Sequence, residues 1–194
     1  MPESVVGHKV RAARHPTFIR IFRLSRIGQP MASEESGMAL ENDEANPCFG
    51  CGPRNPRGLR LSFHRVGDRV ETMLLADVTM EGWPGRLHSG ILYTAMLETA
   101  NWTVFGITGR IGIPVRTSGL RRQRWVPTGT RLRIGGRAKS TGPSSLTVAL
   151  EAFPSDGQSV ATLERDFVLP NRQELLDRMG YEENPAVLAG LVPE

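Results

Sequence analysis

WPGRLHSGILYTAMLETANWTVFG, residues 83–106, decides how this chain folds. Its opening residues, Trp83-Pro84-Gly85, follow Gly82 and break the chain. Residues 89–106 then read as a helix: Ser89 is placed to cap it, good helix formers fill it, and Gly106 and Gly109 end it. Ile91, Ala95, Glu98 and Trp102 share one stripe at i, i+4, i+7 and i+11 spacing. Leu92, Met96 and Thr103 lie beside that stripe, while Tyr93, Leu97 and Val104 lie opposite. A helix apolar nearly all round is buried on most sides rather than laid on a surface. Glu98 is its conspicuous exception, because a carboxylate on an apolar stripe must raise its pKa or find a partner.

Upstream, CFGCGPRNPRG (48–58) is rich in Gly and Pro and reads as a tight loop. A strand follows, in which Leu59, Leu61 and Phe63 alternate with Arg60, Ser62 and His64. Residues 66–69 are a turn, and Val70 to Leu75 form the second strand of a hairpin. Downstream of Pro114, strands are expected at about 115–126, 130–140, 145–153 and 158–168, the last after the turn Pro154-Ser155-Asp156-Gly157. A short amphipathic helix with Leu175, Leu176 and Met179 lies in the tail. Strands, one buried helix, then several antiparallel strands make an α+β pattern, with the helix packed on a sheet or wrapped by it.

Charge divides the remaining chain. Residues 1–30 carry Lys9, Arg11, Arg14, Arg20, Arg23 and Arg26 against Glu3, while 31–47 carry Glu34, Glu35, Glu41, Asp43 and Glu44 with no basic residue. Opposite blocks of this kind are typical of solvated tails. Residues 1–46 therefore read as an extension, disordered or mis-annotated, with 1–30 upstream of a true start at Met31; 47–170 is the folded domain and 171–194 a tail. No run reaches the roughly 18–20 apolar residues that cross a bilayer, so no membrane partner is expected. Arg20 and Arg23 interrupt the most apolar part of the leader, which argues against a secretory signal and for a cytoplasmic protein. The basic block has no nucleic-acid-binding motif beside it, and no nucleic acid is expected.

Cys48 and Cys51 are the only cysteines. Their CxxC spacing suggests zinc or redox chemistry, but structural zinc sites need four ligands and no second pair exists. The thioredoxin context, a strand with CxxC opening a helix, is absent as well. The pair is expected to serve a structural loop, with no metal and no cofactor. Asn55 is placed to bond its own backbone in an Asx turn before Pro56, with substrate contact as the alternative.

Three segments together resemble the hot-dog-fold acyl-CoA thioesterase superfamily, in its 4-hydroxybenzoyl-CoA thioesterase-like or phenylacetate-pathway-type branch. CFGCGPRNPRGLRLSF (48–63) is similar to the leader of that branch, 83–106 to the His-Gly-Gly turn and central helix, and RQRWVPTG (122–129) to the following strand and its Pro-x-Gly exit. The resemblance implies an antiparallel sheet wrapped around one long central helix. It also implies a homodimer or tetramer, with an acyl-CoA thioester held at the dimer interface and hydrolysed to free acid and CoA. A non-catalytic acyl-CoA or acyl-carrier binding dimer is the alternative.

On that resemblance, backbone N–H near Gly90 holds the thioester oxygen, Glu98 acts as base or nucleophile, and His88 orients substrate or works as acid–base. A helix N-terminus has unpaired N–H groups and a positive dipole end, which suit a developing oxyanion. Ser89, Asn55, Trp83, Arg122 and Arg124 are the expected substrate contacts, the arginines through CoA phosphates. The chain departs from the family at two points. Its turn is His88-Ser89-Gly90, and Leu97 occupies the position where many relatives carry the catalytic acid. Three structural alternatives stand beside these roles: Glu98 paired with an arginine across the dimer, His88 as a helix cap, and Trp83 as core packing.

Overall fold

Apolar residues at every second position on either side of the long helix build one sheet that closes over it. The structure, a computed structural model, describes residues 37–155 and 157–179. The strands are β1 (Met38–Leu40), β2 (Phe63–Val66), β3 (Arg69–Leu75), β4 (Ile113–Arg122), β5 (Arg131–Thr141), β6 (Ser145–Pro154) and β7 (Ala161–Val168). They pair antiparallel in the order β1-β2-β3-β5-β6-β7-β4. Helix α1 (Ser89–Thr108) connects β3 to β4, and α2 (Arg172–Met179) follows β7.

The inward positions Val70, Leu74, Leu132, Ile134, Leu146, Val148 and Leu150 are buried against α1 residues Leu92, Ala95, Met96, Ala100 and Val104. Helix α1 touches β2, β3, β5, β6 and β7. This is the hot-dog arrangement, α+β, with the sheet wrapped around one central helix. Among the described residues no helix is long and apolar enough to cross a membrane.

Helix and sheet approach closely at β5. A Cβ on Gly136 would collide with the Thr103 hydroxyl and come within 3.4 Å of Val148 Cγ1. Thr99 and Thr103 are fully buried, yet their hydroxyls donate to Ala95 O and Thr99 O, each at 2.7 Å. Turning each hydroxyl back onto its own helix satisfies a polar atom that the core cannot hydrate.

Several boundaries differ from the expectations. Residues 38–40, assigned to the extension, form β1 and pair with β2. Residues 59–62 are not a sheet strand: Leu59 N–H donates to Phe49 O and Leu61 N–H to Gly50 O, and Arg60 has a left-handed φ of 50°. The leader loop captures this alternating stretch before it reaches the sheet. The α1 cap is His88 rather than Ser89, and the helix runs on to Thr108, where left-handed Gly109 (φ 68°) ends it. β4 stops at Arg122 rather than continuing to 126. The expectations for residues 1–36, and for the side chains of Leu176 and Met179, lie outside the described residues.

Filling the gap at the helix–sheet contact tests this packing. Gly136→Ala should lower the unfolding free energy by about 1–3 kcal/mol, the usual cost of overpacking a core. Thr103→Ala in the same chain should recover part of the loss, read as a non-additive pair in urea unfolding.

Candidate active site

Helix α1 begins where the chain turns out of the loop after β3, and two cavities open beside that point. One, about 440 Å³, is lined by leader-loop residues Phe49, Arg57 and Leu59 and by Met80, Glu81, His88 and Ile91, among others. The other, about 250 Å³, is lined by Gly82, Trp83, Leu87, His88, Ser89 and Trp125. His88 borders both.

The His88 ring is fixed by local bonding. The His88 backbone N–H donates to Met80 O at 2.8 Å, and the ring's Nδ1 accepts the Gly90 N–H at 3.0 Å. A Cβ on Gly82 would lie 2.9 Å from the ring's Cδ2, so the glycine gives the ring its place. The Gly90 amide, expected to hold a thioester oxygen, thus already has an acceptor inside the chain. His88 takes the capping role, and an acceptor Nδ1 leaves Nε2 as the protonated nitrogen of the neutral ring.

Arg122, at the end of β4, reaches the same place. Its Nη1 donates to Ser89 Oγ at 2.6 Å, and its guanidinium lies 3.7 Å over the Trp125 ring, with Arg86 at 5.9 Å from that ring. Trp83 is 70% exposed, not core. Arg124 goes elsewhere: it donates to Gln158 O at 2.6 Å, because the chain has left β4 by that point. Asn55 serves the loop: it accepts the Arg57 N–H across Pro56 at 3.0 Å, as an Asx turn requires, and donates to Pro47 O at 3.2 Å. Ser89, Trp83, Arg122, His88 and Gly90 therefore gather at the helix start, while Arg124 and Asn55 do not. Glu81 also lines the larger cavity; on its exposed loop it carried no signal that sequence reading could use.

Glu98 lines neither cavity. It is half-buried beneath the leader loop, where Oε1 accepts from Cys48 Sγ at 3.7 Å and Cys51 is a second partner. Cys48 Sγ, Cys51 Sγ and a Glu98 oxygen all lie within 4.8 Å of one another and can hold a metal ion. Burial first, and then the hydrogen bond to Glu98, pushes the Cys51 thiol far above its ordinary value, against a lowering hydrogen bond from Trp102. Arg165 is close enough to feel the Glu98 charge, which partly offsets the downward push that burial exerts on its guanidinium. Its Nη1 donates to Leu97 O at 3.1 Å. Leu97 itself packs against the core.

No family model and no curated protein matches the chain. Among solved structures it is similar to protein RHA08564, a thioesterase superfamily protein, at 22% identity with TM-score 0.57. The match covers 64% of this chain and 60% of that one, less than two thirds of its length. The PaaI protein of the E. coli phenylacetic acid degradation operon matches at 11% identity over 58% of this chain and 81% of that one, with TM-score 0.54. The thioesterase HI1161 of Haemophilus influenzae matches at 13% identity over 58% and 80%, with TM-score 0.53. At such identities the likeness establishes the fold.

The Cys51 environment gives stability a pH dependence. The native state keeps a thiol proton that the unfolded chain releases above the ordinary value of 9.0. The unfolding free energy of reduced, chelator-treated protein should therefore be undiminished below that pH and fall above it, by up to about 1.4 kcal/mol per pH unit. Urea unfolding at increasing pH measures the slope, and Cys51→Ala should lose this share of it.

Proposed function

We propose that this protein hydrolyses an acyl-CoA thioester to free acid and CoA, at a site built on the start of α1. The carrying observation is the His88 ring, which borders both cavities while its Nδ1 accepts the Gly90 N–H. In this reading Nε2–H, together with the first-turn amide of Ser89, receives the thioester oxygen. Preorganised donors of this kind are worth about 3–4 kcal/mol each when the oxygen becomes an oxyanion, and the positive end of the helix adds to them. Water attacks the carbonyl carbon, the C–S bond breaks, and CoA leaves as a thiolate that takes up a proton.

Glu81, which shares the larger cavity with His88, is the carboxylate we assign to accept the proton of the attacking water. Glu98, the residue expected in that role, is turned toward the cysteines. Arg122, over the Trp125 ring with Arg86 beside it, supports recognition of CoA phosphates, since guanidinium forks match phosphate oxygens. Exposed Trp83 adds an aromatic wall.

The working unit in this reading is a homodimer joined along β4. That strand is a sheet edge of 10 residues, exposed for most of its length, with Val115 and Leu120 uncovered. A long edge with apolar side chains is a template for pairing with a second copy. A non-catalytic acyl-CoA-binding dimer is the second reading. What favours it is Leu97, half-buried against the core, next to a Glu98 already engaged by two cysteines.

Thiol release from a panel of acyl-CoAs separates the two. Wild-type turnover is expected, and His88→Asn, which keeps a capping acceptor but removes Nε2–H, should lower kcat by roughly 100- to 1000-fold. Glu81→Gln should lower it by roughly 100-fold or more. Acyl-CoA binding without turnover would establish the second reading. Turnover indifferent to both substitutions would remove the chemistry from this helix start, and loss in Glu98→Gln alone would return the base to the helix.

A further inference from the structure

The cluster beneath the leader loop has no part in the reaction just described, and its geometry is that of a metal site. Cys48 Sγ lies 3.7 Å from Glu98 Oε1, within a triangle whose third corner is Cys51 Sγ. A tetrahedral ion with bonds of about 2.3 Å to sulfur and about 2.0–2.2 Å to a carboxylate oxygen spans an S···O edge of about 3.5–3.7 Å. Cys48 Sγ and Glu98 Oε1 therefore already stand at the separation that such an ion imposes, with Cys51 Sγ within 4.8 Å of both.

The surroundings of the two sulfurs point the same way. Cys48 Sγ accepts the Gly50 N–H at 3.3 Å. Cys51 Sγ accepts from Asn46 Nδ2 at 3.6 Å and from the Trp102 side chain. Neutral thiols are weak acceptors, and N–H donors converging on a sulfur pair suit thiolates, whose negative charge they stabilise. A Cβ on Gly50 would lie 2.8 Å from Glu98 Cγ and 2.9 Å from its Cδ, so the loop leaves open the space through which the carboxylate reaches the sulfurs. Two thiolates and a carboxylate around a divalent ion leave one negative charge, and Arg165 is the cation that Glu98 already attracts.

We propose that Cys48, Cys51 and Glu98 bind one thiophilic divalent cation of the zinc class, with a fourth position open to water. Two thiolates select such an ion over magnesium or calcium, which prefer all-oxygen sites. The ion ties the leader loop to the middle of α1, although the ligands are separated by 50 residues of chain. Phe49, Gly58 and Leu59 of the same loop line the larger cavity. The metal thereby holds one wall of that cavity in place, a positioning role that does not depend on which reaction the cavity carries out.

Cobalt titration tests the site in the full-length, reduced protein with oxygen excluded. One Co²⁺ per chain is expected, with thiolate-to-cobalt charge-transfer absorption, d–d bands of tetrahedral strength, and displacement of both by Zn²⁺. The chain has only 2 cysteines, so in the wild type that absorption reports on this pair alone. Cys48→Ser with Cys51→Ser should abolish it, and Glu98→Gln should keep it while weakening Co²⁺ binding roughly tenfold or more. X-ray absorption of the zinc-loaded wild type should find two sulfur neighbours alongside oxygen, a readout that needs no variant to fold. A wild-type titration without charge transfer, or zinc neighbours lacking sulfur, overturns the proposal. Unchanged affinity in a folded Glu98→Gln variant removes the carboxylate from it.

Discussion

The close approach of α1 to β5 governs the rest of the structure. A 20-residue helix is about 30 Å long. Its fully buried residues, Leu92, Ala95, Met96, Thr99, Ala100, Thr103 and Val104, make one broad face that the curved sheet covers, and most of its other residues are half-buried. Contact at Gly136 and Thr103 sets how near the two layers come. The buried threonine hydroxyls are tolerated because each bonds a carbonyl one turn back on its own helix. With the middle of the helix committed to packing, polar chemistry is confined to its exposed start and to Glu98, the one carboxylate of α1.

At the helix start, one histidine does two things through two nitrogens. By taking the Gly90 amide, Nδ1 withdraws the donor that a bare helix end would offer and leaves Nε2 to present a proton instead. Arg122, held by Ser89 Oγ and by the face of Trp125, brings positive charge from the far edge of the sheet to the same point. The proposed thioester site and the proposed dimer edge meet there because β4 carries Arg122 at its end and the unpaired edge along its length.

Glu98 shows how a buried carboxylate finds partners. It faces Cys48 and Cys51 from a loop, and Arg165 from β7 compensates its charge. That set links the leader loop, the central helix and the sheet at one point. It also explains the glycine at position 50, where a side chain would occupy the space that the carboxylate crosses.

The periodicity of residues 83–106, the alternation along β3 and β5–β7, and the Gly and Pro breaks determined the helix, most strands and the α+β class, because these signals are local and each element buries its apolar face. The stretch 59–62 had the same alternation and still joined the loop, since a left-handed Arg60 and hydrogen bonds to Phe49 and Gly50 compete with the sheet. Whether Ser89 or His88 caps α1 depended on where one imidazole came to rest. The sequence also carried both cysteines and Glu98 in plain view, but counting cysteine pairs could not supply a third ligand 50 residues away. Only the tertiary structure decided which residues share a site, because that depends on how the sheet curves around the helix and brings distant loops to its flank.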